Sequence, residues 1–194
     1  MTATRLMTPA GFRAMPWKNG AGTTHEIVRW PDDSDDFAWR VSVASISRDG
    51  PFSAWPGVER AFAVIEGNGV VLGGLGAPVV LGRDDAPTRF DGGLPIVCGL
   101  VDGPVQAINL MVRTERAGGE IRRIDDATGT VSGIAAGVCL AGAGPCECRI
   151  DAGAPIPLAA GEALVVEARS GTMAVRIAPS APASRPILVT RIAR

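Results

Sequence analysis

The chain has 194 residues, of which 46% are hydrophobic and 20% are charged, and its formal net charge is -1. These values are ordinary for a globular domain and exclude a large basic surface for nucleic acid. No apolar stretch reaches the ~18 residues that a membrane span requires, and the first residues lack the apolar run of a secretion signal. We therefore expect a cytoplasmic protein that binds neither membranes nor nucleic acid.

Histidine and cysteine usage limits the metal chemistry that this chain can perform. The sequence contains one histidine, His25, and four cysteines. The pair Cys146-x-Cys148 is too closely spaced for the usual zinc knuckle, and a structural zinc site generally needs about four nitrogen or sulfur ligands. We expect no metal and no cofactor, and we expect the cysteines to be buried reduced thiols.

Short apolar runs dominate the predicted elements, because twenty-five glycines and fifteen prolines divide the chain. This pattern predicts an all-β sandwich or barrel. The strands predicted in the first half are Glu26–Trp30, Ala38–Ile46, Ala61–Glu66, Gly69–Leu72, Pro95–Val101 and Val105–Val112. Those predicted in the second half are Gly133–Leu140, Glu147–Ile150, Ala163–Glu167, Met173–Ile177 and Ile187–Ile192.

The charged segment Thr114–Gly129 lacks a strand pattern and separates two sets of strands of similar number. We therefore predict two barrels, one over residues 1–114 and one over residues 115–194. The run Pro179–Pro186 predicts a surface loop before the last strand.

The densest group of polar residues precedes the first predicted strand. Asn19-Gly20 favours a tight turn, and Lys18, Thr23 and Thr24 offer a positive charge and hydroxyl groups. Backbone N–H groups exposed at the glycines complete a set of donors suited to an anion, above all a carboxylate. The alternative is a plain hairpin that leads into the strand, and composition alone favours it.

Polar residues also interrupt the predicted strand Ala38–Ile46. Arg40 and Ser42 share one face of this strand with Ala44 and Ile46, since successive side chains point to opposite faces. A mixture of charge, hydroxyl and apolar groups is typical of a polar barrel mouth. A solvent-facing strand is the alternative, with equal support.

Arg60 and Asn109 are candidates for contacts with the same ligand. Arg60 begins a strand beside Glu59, and an inward guanidinium suits a carboxylate; pairing with Asp49 or exposure to solvent are its alternatives. Asn109 is a lone amide on an otherwise apolar face, and a buried amide needs partners. Either a ligand or neighbouring core groups can supply them.

Four segments, in this order, resemble the HutD/Ves family. They are Pro16-Trp-Lys-Asn-Gly-x-Gly-Thr-Thr24, Trp39-Arg-Val-Ser42, Asp49-Gly-Pro-Phe-Ser-x-Trp-Pro-Gly-Val-x-Arg60 and Asp102-x-Pro-Val-x-x-Ile-Asn-Leu-Met111. The resemblance implies a bicupin, with two jelly-roll-like barrels packed together in one chain and a pocket in the first. It also implies that the protein modulates bacterial histidine utilisation by binding a small anionic metabolite such as formylglutamate or urocanate.

The resemblance identifies the candidate pocket residues as Trp17, Lys18, Asn19, Gly20, Thr23, Thr24, Arg40, Ser42, Ser53, Arg60 and Asn109. It also implies a metal-free first barrel, because its strand Arg60–Glu66 contains no histidine. Association into homo-oligomers is compatible with the family, although the sequence identifies no exposed edge for it.

Two other functions stay open at this stage. A metal-independent enzyme of the isomerase or deformylase type would need a general base, and Glu26, Glu59 and His25 are the nearby candidates. A protein-interaction module would need no small-molecule site at all.

Overall fold

The computed structural model describes residues 2–32, 34, 36–124, 129–182 and 184–192. The described residues form two compact units: one lies within Arg13–Arg116, and the other combines the start of the chain, up to Phe12, with the residues from Ala117 onward. None of the described residues belongs to a helix long and apolar enough to span a bilayer.

The strands, in chain order, are β1 (Thr2–Met7), β2 (Arg13–Pro16), β3 (Gly22–Trp30), β4 (Trp39–Ile46), β5 (Gly50–Pro51), β6 (Glu59–Glu66), β7 (Val70–Gly73), β8 (Val79–Leu81), β9 (Thr88–Asp91), β10 (Val97–Leu100), β11 (Val105–Val112), β12 (Gly118–Arg123), β13 (Gly129–Ile134), β14 (Ala136–Leu140), β15 (Cys146–Ile150), β16 (Ile156–Leu158), β17 (Ala163–Ala168), β18 (Met173–Pro179) and β19 (Ile187–Ile192). A 3-10 turn covers Pro9–Gly11.

The unit of residues 13–116 consists of a six-stranded sheet in the order β2-β3-β4-β11-β6-β9 and a four-stranded sheet in the order β5-β10-β7-β8. Paired strands run antiparallel. Side chains from both sheets form one apolar core, which includes Ile46, Phe62 and Leu72. Ala107 and Asn109 share one face of β11. Ala107 belongs to the apolar core, whereas Asn109 lines a polar cavity, so the core and the cavity are adjacent along this strand.

The other unit repeats this plan with a five-stranded sheet, in the order β1-β17-β14-β19-β12, and a four-stranded sheet, in the order β13-β18-β15-β16. Its interior is filled by apolar side chains from both sheets, such as Cys148, Leu164 and Val175. Two antiparallel sheets that enclose a core in each unit make the chain an all-β, two-barrel protein with a jelly-roll-like fold. The predicted fold class is therefore confirmed.

The edge strands β1, β12 and β16 of the second unit were not predicted. β12 lies inside the segment Thr114–Gly129, for which we expected no strand, and it pairs with β19. Its sequence shows no alternation because Ile121 is its only apolar side chain, which is typical of an edge strand with one polar face. Residues 125–128 of that segment lie outside the described residues, as does residue 183 of the predicted loop Pro179–Pro186.

Strand β1 changes the division of the chain that the sequence predicted. We expected residues 1–114 to form one barrel, but β1 pairs along its whole length with β17, from Thr2 opposite Ala168 to Met7 opposite Ala163. The start of the chain therefore completes the barrel of the second half. Hydrophobic periodicity cannot reveal this pairing, because it depends on which sheet edge is vacant.

All four cysteines are buried free thiols. Burial raises the pKa of Cys98 and of Cys146 to about 12. A contact of 2.9 Å between the sulfur atoms of Cys139 and Cys148, together with burial, raises the pKa of Cys139 as well. Since the thiolate is the reactive form, these groups are inert at neutral pH.

We predict that no cysteine of the native protein reacts with a disulfide reagent such as DTNB at about pH 8, and that all four react after denaturation. A Val80→Cys variant provides the control, because Val80 is 64% exposed and its replacement should react at once. Rapid labelling of the unmodified native protein would contradict the burial described above.

Candidate functional site

A cavity of about 790 Å³ lies in the unit of residues 13–116. Among the described residues, its lining includes the cations Lys18, Arg29, Arg40 and Arg60 and no acidic side chain. Nine of the eleven residues predicted for the pocket line it: Trp17, Lys18, Asn19, Thr24, Arg40, Ser42, Ser53, Arg60 and Asn109. The cavity is therefore strongly cationic.

Strand alternation explains how β4 contributes to the cavity. Arg40, Ser42 and Ala44 line it, and Ile46 continues the same face into the apolar core. The Arg40 and Ser42 residues are 9% and 1% exposed, so the solvent-facing alternative for this strand is wrong.

A β-bulge in β3 adds a residue that the sequence did not indicate. Glu26 is opposite Ser42, but the register then shifts, so that Val28 is opposite Val41 and Arg29 is opposite Arg40. The extra residue reverses the alternation and places Arg29 on the same face as Glu26. Arg29 consequently reaches the cavity lining.

Glu26 joins two arginines behind this lining. Its Oε1 accepts a hydrogen bond from Arg29 Nε at 2.8 Å, and its Oε2 accepts one from Arg40 Nε at 2.6 Å. All three residues are less than one-tenth exposed. Short charge-assisted hydrogen bonds of this kind are strong, and together the three groups carry one net positive charge.

Arg60 is a buried cation with a different environment. Its Nε and Nη2 atoms each donate to Asn109 Oδ1 at 3.3 Å, and its guanidinium carbon lies 4.7 Å and 5.2 Å from the ring centres of Phe52 and Phe90. Burial, followed by the charge of Arg40, lowers the pKa of Arg60 to about 10, so it stays protonated at neutral pH. The predicted alternative partner, Asp49, instead accepts a hydrogen bond from the Leu100 backbone.

No carboxylate of the described residues forms an ion pair with Arg60. An isolated buried charge is costly, and proteins normally pair it or bind a counter-ion beside it. The neutral Asn109 oxygen and two aromatic faces compensate this charge only in part. The arrangement is suited to an anion that enters the cavity and contacts the guanidinium.

Aromatic side chains form the apolar part of the cavity wall. Phe52 packs edge-on against Trp17 at 6.1 Å and also contacts Phe62 at 5.7 Å, while Phe37 packs against Trp55 at 5.7 Å. These rings reduce access of water to the arginines, which strengthens their electrostatic interactions. Among these aromatic residues, the family resemblance identified only Trp17 as a candidate pocket residue.

The glycine-rich segment forms the hairpin between β2 and β3. Gly20 N–H donates to the Trp17 carbonyl at 3.0 Å, and Gly20 has a φ of 66°. The Trp17 indole N–H donates to Thr24 Oγ1 at 2.8 Å, which holds the ring at the cavity. The hairpin and the ligand-site interpretations are thus compatible, because the turn itself supplies lining residues.

Two predicted pocket residues do not reach the cavity. Thr23 is adjacent to Thr24 on a regular part of β3, so its side chain points to the opposite face. Gly20 lies in the turn, and its carbonyl accepts a hydrogen bond of 2.6 Å from Arg48 Nη2. Neither is among the lining residues.

Gly22 controls the close approach of this hairpin to β4. A Cβ atom there would overlap the Ser45 carbonyl oxygen and come within 3.3 Å of the Trp17 ring. We predict that Gly22→Ala destabilises the protein by about 1–3 kcal/mol and weakens ligand binding, because it displaces Trp17. Denaturant unfolding and ligand titration test this, and Gly11→Ala is the control, since no atom lies within 4 Å of its added Cβ. Unchanged stability would contradict this prediction.

The three candidates for a general base occupy different positions. Only Glu26 is on the cavity face, and both of its oxygens accept hydrogen bonds from arginines. Glu59 is on the face of β6 opposite Arg60 and pairs with Arg89 at 2.5 Å. His25 faces away from Glu26 on β3. Within the described ranges, no group of three or more histidine, cysteine or acidic residues is arranged to hold a metal ion.

The two barrels have a cupin-like fold. An oxalate decarboxylase variant of Bacillus subtilis superimposes with a TM-score of 0.60 at 8% identity, covering 97% of this chain and 77% of that one. At this identity the likeness shows the fold alone.

The family model described as HutD matches residues 10–182, and the chain belongs to that family. Protein Ves of Citrobacter koseri is 38% identical over 131 residues, which cover 66% of this chain and 68% of that protein. HutD of Pseudomonas fluorescens SBW25, solved in a formate condition, superimposes with a TM-score of 0.82 at 27% identity and covers 99% of this chain and 100% of that one. The predicted resemblance is thus confirmed.

Proposed function

We propose that this chain is a binding protein for a small carboxylate metabolite and that it modulates bacterial histidine utilisation. The observation that carries the proposal is Arg60, a protonated side chain that is 7% exposed at the cavity and has no carboxylate partner among the described residues. A carboxylate of the ligand would supply the counter-charge in the bidentate geometry that guanidinium favours.

The charge of the cavity supports an acid with two carboxylates. Arg60 contributes one positive charge that pairs with no carboxylate of the described residues. Arg40 offers a second cationic contact, because among the described residues its Nη1 and Nη2 atoms have only the weakly accepting sulfur atoms of Met111 and Met15 as hydrogen-bond partners. Formylglutamate carries two carboxylates and a formyl oxygen, so it matches this balance better than the monoanionic urocanate. The Asn109 amide and the Ser42 hydroxyl line the same cavity and offer neutral hydrogen bonds.

The link to histidine utilisation is supported by the family to which the chain belongs. The related Pseudomonas HutD was solved in a formate condition, and formate is the simplest carboxylate. Regulation of the pathway would then follow from sequestering or sensing one of its acidic intermediates.

Calorimetric titration of the metal-stripped protein with formylglutamate, urocanate, glutamate and formate tests the proposal. Two charge-assisted contacts and several neutral hydrogen bonds should give micromolar affinity, about -8 kcal/mol, for the preferred acid. We expect formylglutamate to bind more tightly than the others and to be recovered unchanged after prolonged incubation. Absence of saturable binding to any of the four acids would refute the proposal, and turnover of the bound acid would favour an enzyme instead.

A further inference from the structure

Glu26 is a buried carboxylate that lies behind the cavity lining and holds two of its arginines. It accepts one hydrogen bond from the Nε atom of each, at 2.8 Å from Arg29 and 2.6 Å from Arg40. Both carboxylate oxygens are therefore engaged by side chains, and Glu26 itself is not among the residues that line the cavity. It acts on a ligand only through the arginines.

The orientation of Arg40 makes this contact important. With Nε bound to Glu26, its Nη1 and Nη2 atoms lie 3.9 Å from the sulfur atoms of Met111 and Met15. Thioether sulfur is a weak acceptor, so these N–H groups have no strong partner in the described part of the chain. They are directed to a part of the site where an anionic oxygen would be a much better acceptor.

Arg29 is held from a second side. Its Nη1 atom donates to the Ser34 carbonyl at 3.2 Å, while its Nε atom binds Glu26. This contact makes the Arg29–Glu26 pair a fixed support, so Arg40 binds to a carboxylate that is itself restrained. The arrangement pre-organises the Arg40 guanidinium before any ligand arrives, which reduces the loss of side-chain freedom on binding.

We propose that Glu26 is the positioning residue of the anion site: it fixes the Arg40 guanidinium so that its two Nη atoms face the ligand. This inference rests on the proposed carboxylate-binding function. It goes beyond that function in assigning a supporting role to an acidic residue whose charge, by itself, opposes the binding of an anion.

The two possible roles of Glu26, repelling the ligand and positioning Arg40, predict opposite changes in ligand affinity when Glu26 is replaced. This difference makes the proposal testable. If Glu26 acted only as a nearby negative charge, Glu26→Gln would remove a repulsion and tighten carboxylate binding. If it positions Arg40, the same substitution places an amide N–H group near the guanidinium donors and releases Arg40. We expect Glu26→Gln to weaken formylglutamate binding by about 10–100-fold.

A double-mutant cycle shows whether Glu26→Gln weakens formylglutamate binding by its effect on Arg40. In an Arg40→Met background, Glu26→Gln should cause little further loss, because the residue that it positions is already gone. In a Lys18→Met background, which removes an exposed charge of the same cavity, the full loss should remain. Tighter or unchanged binding by Glu26→Gln, or the same loss in the Arg40→Met background, would overturn the proposal.

A second measurement does not depend on any ligand. In the unliganded wild type, the Arg29 and Arg40 Nε–H groups should give slowly exchanging resonances in nitrogen-15 NMR spectra, and in Glu26→Gln both should shift and exchange faster. Where the glutamine variant does not fold, Glu26→Asp carries the same prediction, because its shorter side chain cannot reach both arginines.

Different results would refute this inference and the proposed function. A wild-type protein that binds none of the acids refutes the proposed function, while an Arg40 Nε resonance unaffected by the substitution at Glu26 refutes the positioning role.

Discussion

Replacing Arg60 with methionine should lower carboxylate affinity by at least about 30-fold, because it removes the buried charge that the ligand neutralises. Losing one partner of a buried, hydrogen-bonded charge pair costs about 2–5 kcal/mol. The measurement is calorimetric titration with formylglutamate, and Arg89→Met is the matched control. Arg89 is an exposed arginine on the neighbouring strand β9 that pairs with Glu59 outside the cavity, so its replacement should leave affinity unchanged.

The same Arg60→Met variant should retain its stability without ligand. Unfolding returns the guanidinium to water, so the wild-type protein bears a desolvation penalty that methionine removes. This gain offsets the lost contacts with Asn109, Phe52 and Phe90. We expect the free energy of unfolding to fall by no more than about 1 kcal/mol. A variant that loses several kcal/mol would show that Arg60 is structural, and full affinity in a folded variant would show that it does not bind the ligand.

Replacing Phe62 with alanine should destabilise the protein by about 3–5 kcal/mol, the usual range for a large buried aromatic side chain. Phe62 is 1% exposed, belongs to the apolar core of its barrel and also forms the floor of the cavity. Its ring contacts Phe52, which in turn covers Arg60. Ligand affinity should therefore fall together with stability, because Phe52 loses its support.

Denaturant unfolding measures this effect, with Val80→Ala as the control. Val80 is 64% exposed, so its truncation should change the free energy of unfolding by less than about 0.5 kcal/mol. A loss below about 1 kcal/mol for Phe62→Ala would contradict the packing between core and cavity described above.

The sequence predicts the direction of a side chain correctly where a strand is regular, because successive side chains then point to opposite faces of the sheet. β4 runs from Trp39 to Ile46 without a break, and the sequence placed Arg40 and Ser42 on one face before the structure showed both at the cavity. The same logic identified Asn109 as a lone amide on an apolar face. Regular strands with one buried face determine the direction of each side chain, which is why these residues were found.

The bulge in β3 shows where such reasoning fails. Strict alternation from Thr24 places Arg29 on the face opposite Glu26, whereas the register shift after Glu26 brings it to the cavity. A bulge depends on pairing with the neighbouring strand, and the residue types in this segment do not indicate one. Arg29 was missed for that reason, and Glu26 was weighed as a base instead of as a partner of two arginines.

Sheet-edge strands and turns account for the other differences between the sequence-based predictions and the structure. β12 was missed because an edge strand needs few apolar residues. Gly20 and Thr23 were assigned to the pocket by family resemblance, but one lies in a turn against Arg48 and the other points away from Thr24. Membership of a motif is therefore insufficient to place a side chain at the site.

The most direct test of the account is a crystal structure of the protein with formylglutamate. We predict a carboxylate within about 3 Å of the Arg60 guanidinium nitrogens, a second acidic group at Arg40 Nη1 and Nη2, and Glu26 still bound to Arg29 and Arg40. A ligand that binds outside this cavity, or inside it without contact to Arg60, would contradict the account.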